Sequence, residues 1–161
     1  EDADYVIVGM GSMIVQAECV ADYLRETRKL KVGVVNLTMF RPFPGDLLGQ
    51  ALRGKKGVVV LERTDQPLAE DLPLMREIRA TLIKCIENGM APDDERPFPT
   101  YASFTAGDMP RLYSGCYGLG SRDLQPEGPD DADDDHLGGQ RAQDHTEDTR
   151  DGTGDLVAHD L

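Results

Sequence analysis

Histidine and tryptophan are nearly missing from this sequence. Among 161 residues there is no tryptophan, and the three histidines all lie beyond residue 135. The first 135 residues therefore contain no imidazole to act as a general base or to bind a metal. No serine in this stretch has the Gly-x-Ser-x-Gly pattern of a nucleophile elbow. We expect no catalytic residue of these types in the folded part of the chain. The histidines are His136, His145 and His159.

Cysteine is also scarce. Cys19, Cys85 and Cys116 are far apart, and none has the Cys-x-x-Cys spacing of a zinc or iron–sulfur site, so no metal site is predicted. An odd number of separated thiols is typical of a reducing compartment, and the expected location is the cytoplasm. Cys116 is predicted to be a buried strand thiol.

Long apolar runs are absent as well. No run approaches the roughly 18 residues that a membrane helix needs, and no basic segment followed by an apolar one opens the chain. The sequence therefore predicts neither a membrane segment nor an export signal. The chain does not begin with Met, and it enters a strand almost at once. This start suggests an excised domain or a fragment.

Lysine and arginine are fewer than aspartate and glutamate, and most of the difference lies in the last part of the chain. The chain has 17 Lys and Arg against 30 Asp and Glu, a net charge of −13. Residues 128–161 hold eleven acids and two arginines, so −9 of that total belongs to the end of the chain. Such a balance argues against a nucleic-acid partner, which needs a basic surface. We predict a folded domain over 1–127, followed by an acidic low-complexity tail over 128–161 that is disordered or artefactual.

What is present is an alternation of two patterns. Short β-branched runs bounded by glycines predict strands buried on both faces, and apolar residues at helical spacing predict helices between them. This order predicts an α/β fold with an open, mostly parallel sheet. Expected strands are 5–8, 32–37, 58–62, 101–104 and 111–117; expected helices are 14–28, capped by Ser12, 47–52, capped by Asp46, and 73–87, stopped by Asn88.

The turn after the first strand is the first candidate site. Gly9-x-Gly11 lacks the third glycine of a dinucleotide fingerprint, and the second strand ends in Asn36 instead of an acid. A tight turn explains the glycines without any ligand. The alternative is an anion site, in which the N–H groups of Ser12 and Met13 donate hydrogen bonds to a phosphate or carboxylate.

Two arginines and a second glycine-rich turn also follow strands. Arg41 and Arg63 come after the ends of strands, where open parallel sheets bind ligands. Salt bridges to Asp46 and Asp65 are the structural alternative. The turn Gly118-Leu119-Gly120-Ser121-Arg122 combines a flexible backbone with a positive charge, which favours a ligand-facing or interface turn over a simple one.

Three motifs in this order resemble a known family. The segments "MFRPFP" at 39–44, "VLERTDQP" at 60–67 and "YGLGSRD" at 117–123 are similar to the transketolase carboxyl-terminal-like domain (core domain II) of pyruvate:ferredoxin or flavodoxin oxidoreductases. The likeness covers about residues 3–127. It implies a three-layer, Rossmann-like sheet of the transketolase carboxyl-terminal type. It also implies a fragment of an enzyme, inactive by itself.

The resemblance implies a function as well. Such enzymes oxidatively decarboxylate a 2-oxoacid with thiamine diphosphate, pass electrons through iron–sulfur clusters to ferredoxin or flavodoxin, and form acyl-CoA. This domain would be non-catalytic, would help to form the CoA pocket and would pack against the thiamine domains. Arg41 and Pro42 would shape a neighbouring loop. The residues implied to face CoA phosphates are Gly11, Ser12, Met13, Arg63, Gly118, Ser121 and Arg122.

Two other assignments remain open from the residues alone. One is the corresponding domain of a transketolase or a 2-oxoacid dehydrogenase. The other is a free-standing α/β module that binds a small anion at the start of its first helix.

Overall fold

Four strands form one parallel sheet in residues 2–121, the part of the chain that the computed structural model describes. The strands are β1 (Tyr5–Gly9), β2 (Val32–Asn36), β3 (Gly57–Glu62) and β4 (Arg111–Cys116). Their order across the sheet is β2-β1-β3-β4, and every neighbouring pair is parallel. The predicted α/β fold with an open parallel sheet is confirmed. Arg122 and the predicted tail over 128–161 lie outside the described residues.

Three helices cover the two faces of this sheet. They are α1 (Met13–Arg28), α2 (Gly45–Leu52) and α3 (Pro73–Met90), and two short 3-10 turns follow at Ala106–Asp108 and Leu119–Ser121. Helix α1 packs on one face, mainly on β2 and β1. Helices α2 and α3 pack on the other face, where the alternate strand residues Val6, Val8, Val58 and Val60 join the larger core. In the described residues, no helix is long and apolar enough to span a membrane.

Small residues bring α2 and α3 close together. A Cβ atom added at Gly49 would lie 2.7 Å from Cys85 Sγ, and one at Gly45 would lie 2.8 Å from Thr81 Oγ1. These glycines are one helical turn apart and face two α3 residues with the same spacing. Cys85 is fully buried at this contact, and burial raises the pKa of its thiol above the ordinary value.

Helix α3 continues past the predicted stop at Asn88. The Asn88 side chain is buried and donates to the carbonyl oxygens of Phe98 (2.7 Å) and Tyr101 (2.9 Å), while its own oxygen accepts from the Phe98 N–H (3.0 Å). These bonds hold the following loop against the helix. The predicted strand over 101–104 is wrong, because that stretch is irregular and lies against the end of α3. Gly89 is required there, since an added Cβ would lie 1.8 Å from the Phe104 carbonyl oxygen.

The caps of the first two helices differ in part from the prediction. Ser12 occupies the cap position of α1, as predicted, but it has helical angles (φ −64°, ψ −26°) and its side chain makes no capping bond; the preceding Gly11 has a φ of +85°. A capping serine instead needs extended angles. Helix α2 begins at Gly45, so Asp46 lies in its first turn and is not its cap.

An acidic side chain organises the turn before β4. Asp108 Oδ2 accepts hydrogen bonds from both the N–H and the hydroxyl of Thr105, each 2.8 Å long, and Asp108 Oδ1 lies 3.2 Å from Arg53 Nε. The two bonds from Thr105, followed by the bond from Arg53, lower the pKa of Asp108 from 3.8 to about 2.

Candidate functional site at the carboxyl edge of the sheet

The strands all end on the same side of the sheet, called here the carboxyl edge. Because the four strands are parallel, the loops that follow them meet at this edge. An open pocket of about 190 Å³ lies between these loops and the start of α3. Its lining residues are Met10, Phe40, Leu61, Glu62, Arg63, Thr64, Leu74 and Tyr117. Of the residues that the sequence singled out, Arg63 lines this pocket.

Glu62 lines this pocket and has a structural role that its sequence position does not reveal. It is 8% exposed at the end of β3, and its two carboxylate oxygens accept from the N–H groups of Leu74 (2.7 Å) and Met75 (3.1 Å). The carboxylate therefore caps α3 from a neighbouring strand and interacts favourably with the positive end of the helix dipole. A signal was available: α3 begins at Leu72-Pro73, with no Ser, Thr, Asp or Asn at the cap position.

The turns after β3 and β4 are joined by three hydrogen bonds. Arg63 Nε donates to the Gly118 carbonyl at 3.2 Å, and the Tyr117 N–H donates to the Glu62 carbonyl at 3.1 Å. Cys116 Sγ lies 2.9 Å from the Thr64 carbonyl oxygen. The structure thus brings together the "ERT" and "YGLGS" segments, which are 55 residues apart at Arg63 and Gly118.

Cys116 is exposed, so the prediction of a buried strand thiol is wrong. The physical reason is that β4 is the outermost strand of the sheet, with a neighbouring strand on one side only. Its residues are accordingly exposed or half-buried, whereas most residues of β3 are buried.

The start of α1 belongs to the same edge. Gly11 and Ser12 are exposed there, whereas Met13 is buried. The Met13 side chain packs with Ile14 in a cluster that Tyr117 also contacts. The Met13 side chain is therefore not available to a ligand, and the anion-site hypothesis involves its backbone N–H alone. That these residues contact CoA stays a prediction.

Arg41 makes a different set of contacts from those of Arg63. Its guanidinium pairs with Glu77 of α3 at 2.7 Å and sits 4.2 Å from the centre of the Phe40 ring. Its salt bridge is with Glu77 and not with Asp46, the structural alternative that the sequence suggests. The Arg41–Pro42 peptide bond is cis, and both residues are exposed. A role of Arg41 and Pro42 in shaping the loop stays a prediction.

Charge at the pocket is of both signs, but the two charges differ in exposure. Glu62 is buried, with both oxygens directed at α3, whereas Arg63 is exposed. Of these two pocket-lining groups, the positive one is the one exposed to solvent. Within residues 2–121, no cluster of three or more His, Cys, Asp or Glu side chains could hold a metal ion.

These features define a class of protein domain: a parallel α/β sheet that gathers glycine-rich turns and an arginine at its carboxyl edge. Residues 3–91 match the family described as pyruvate:ferredoxin oxidoreductase core domain II. The chain belongs to this family.

Similar proteins have related names. The chain is 36% identical over 127 residues to "Pyruvate synthase subunit PorA" of Thermotoga maritima, which covers 79% of this chain and 26% of that protein. It is 37% identical over 126 residues to "Probable pyruvate-flavodoxin oxidoreductase" of Escherichia coli, which covers 78% of this chain and 9% of that protein. The chain is also 41% identical over a shorter stretch of 63 residues to "Ketoisovalerate oxidoreductase subunit VorA" of Pyrococcus horikoshii, which covers 39% of this chain and 16% of that protein. The chain therefore spans about a quarter or less of the length of these relatives.

Proposed function

We propose that this domain is a non-catalytic part of a thiamine-diphosphate-dependent pyruvate (2-oxoacid):ferredoxin or flavodoxin oxidoreductase. In that enzyme it helps to form the CoA pocket and packs against the thiamine domains. Family membership and the names of the relatives support the kind of enzyme. The small share of each relative that the chain spans supports a role as one domain of several.

One observation carries the CoA role: the hydrogen bond of Arg63 to Gly118. It places a positive side chain against a glycine-rich turn, at the edge where Gly11 and Ser12 are also exposed. Phosphate groups bind to such a combination of guanidinium and backbone N–H groups, and CoA carries several phosphates. Ser121 ends the 3-10 turn that follows Gly118, and Arg122 comes next in the sequence.

The redox cofactors fit other parts of the enzyme. Iron–sulfur clusters need several closely placed cysteines, whereas Cys19, Cys85 and Cys116 are separate free thiols on three different elements. Thiamine diphosphate and the clusters would be held by other domains, and electrons would leave from those domains to ferredoxin or flavodoxin. No step of the reaction is assigned to this domain.

A charge reversal tests the CoA role in the enzyme that carries this domain. Arg63→Glu removes a cation and adds repulsion, so we expect the KM for CoA to rise about tenfold or more, since a bond to a charged group is worth about 1.5–3 kcal/mol. The KM for the 2-oxoacid should change little. The matched control is Arg28→Glu, an exposed arginine at the end of α1 and at the opposite edge of the sheet. An unchanged KM for CoA in Arg63→Glu would remove Arg63 from the pocket.

A further inference from the structure

The two faces of β3 differ in burial. Val58 and Val60 are fully buried beneath α2 and α3. Val59 points to the other face and is only half-buried, although β3 is an inner strand with a neighbour on each side. Parallel sheets are ordinarily covered on both faces, so an inner strand with one partly exposed face is unusual.

The position of α1 explains this difference. Helix α1 packs mainly on β2 and β1, and its cluster extends as far as Ile7 and Leu61 on this face. Beyond it lies a surface formed by Tyr5, Gly57, Val59, Arg111 and Tyr113, which we call the open face. The strand register places Tyr5 and the exposed Arg111 beside Gly57, and Val59 beside Tyr113, so all five residues share one side of the sheet.

Two half-exposed tyrosine rings cover Gly57, which is itself buried. Tyr5 is 44% exposed and Tyr113 is 52% exposed, and their rings lie on either side of Gly57. A Cβ atom there would be 3.2 Å from Tyr5 Cδ1 and 3.4 Å from Tyr113 Cε2. Tyrosine has an apolar ring and a polar tip, and it is enriched where one polypeptide packs against another.

We infer that in the assembled oxidoreductase the open face is covered by an amphipathic helix from polypeptide outside these 161 residues. The inference rests on the proposed function, because it needs a longer protein around this domain. The relatives have that length, since the chain spans 26% or less of each of those described above. Continuity supports a helix: the open face adjoins the α1 cluster through Ile7 and Leu61, so a second helix beside α1 would extend one apolar layer.

The chemistry of the face defines the contact side of that helix. Leu, Ile or Met side chains would pack on Val59 and on the two tyrosine rings, and an acidic side chain would pair with Arg111. Polar side chains at the margins would reach the hydroxyl groups of Tyr5 and Tyr113.

Thiol labelling tests the inference by comparing the assembled enzyme with the 161-residue chain. Both carry Cys19→Ser and Cys116→Ser, which remove the exposed thiols of this domain, while Cys85 is buried with a raised pKa and reacts slowly. Labelling is read at the probe residue itself, by mass spectrometry of its peptide, so thiols of other domains do not contribute. The probe is Tyr113→Cys, with Tyr5→Cys as a second probe on the same face. The control is Leu47→Cys, at a position on α2 that is 64% exposed.

We expect labelling of Tyr113→Cys or Tyr5→Cys to be about tenfold or more slower in the enzyme than in the 161-residue chain. Labelling of Leu47→Cys should slow much less. Equal rates in the two proteins for both probes, or an equal slowing of probes and control, would overturn the inference. Protection that grows with the concentration of the 161-residue chain would assign the face to a second copy and would also overturn it. The rate of thiol labelling is measured separately from the KM for CoA. If the two probes are protected in the enzyme but Arg63→Glu leaves the KM for CoA unchanged, the CoA role is removed and this inference stands.

Discussion

The Glu62→Gln substitution tests whether the carboxylate at the end of β3 holds the start of α3. Glu62 is 8% exposed, and its two oxygens accept from the Leu74 and Met75 N–H groups at 2.7 and 3.1 Å. Glutamine has nearly the same shape, but it keeps one acceptor oxygen and places an NH₂ group beside the second N–H. The substitution therefore removes one charge-assisted bond and leaves one buried donor without an acceptor.

The magnitude follows from these two bonds. A hydrogen bond to a charged group contributes about 1.5–3 kcal/mol, and the interaction of a carboxylate with a helix N-terminus contributes about 0.3–1 kcal/mol. Because the remaining oxygen of glutamine keeps one bond, we expect the free energy of unfolding to fall by about 2–3 kcal/mol. With a urea m value of about 1–3 kcal/mol/M, the unfolding midpoint should fall by about 0.7–3 M.

Urea unfolding of the 161-residue chain, followed by circular dichroism, measures this change. Glu77→Gln is the matched control: it makes the same chemical change on α3, in an ion pair with the exposed Arg41. An exposed pair contributes about 0–1 kcal/mol, so the control should move the midpoint much less. Equal losses in the two variants would refute the capping role of Glu62.

Two further predictions concern the loop before β4. Gly89→Ala places a methyl group 1.8 Å from the Phe104 carbonyl oxygen, so we expect a loss of about 3 kcal/mol or more in thermal unfolding; Gly107→Ala, where the nearest atom is 3.8 Å away, should be nearly neutral. Because folding lowers the pKa of Asp108 from 3.8 to about 2, its carboxylate stabilises the fold above pH 3.8, and that contribution is lost as the pH falls through about 2. Asp108→Asn should flatten the fall of the urea midpoint over this range, and an unchanged acid dependence would contradict the assignment.

Local sequence patterns were sufficient for most of the elements. The β-branched run Val58–Val60 predicts β3 because such residues fit a pleated surface buried on both faces. The repeat of Ile14, Ala17 and Ala21 predicts α1 because helical spacing places them on one face. The three motifs predicted the family, and its model matches residues 3–91.

Contacts between residues far apart in the chain could not be predicted from local sequence patterns. Glu62 looks like an ordinary polar residue at a strand end until the fold brings the start of α3, 12 residues later, onto its two oxygens. Asn88 looks like a helix stop until a loop 10 residues later accepts its hydrogen bonds. Cys116 is exposed because β4 lies at the edge of the sheet, and strand order is not encoded in the pattern of one strand.

The sequence alone therefore determined most of the segments that are helix or strand and which turns carry glycine and arginine, because periodicity and backbone freedom act between near neighbours. The tertiary structure decided which side chains become partners, as in the bond between Arg63 and Gly118. Such contacts depend on distances through space between segments that the chain itself keeps far apart.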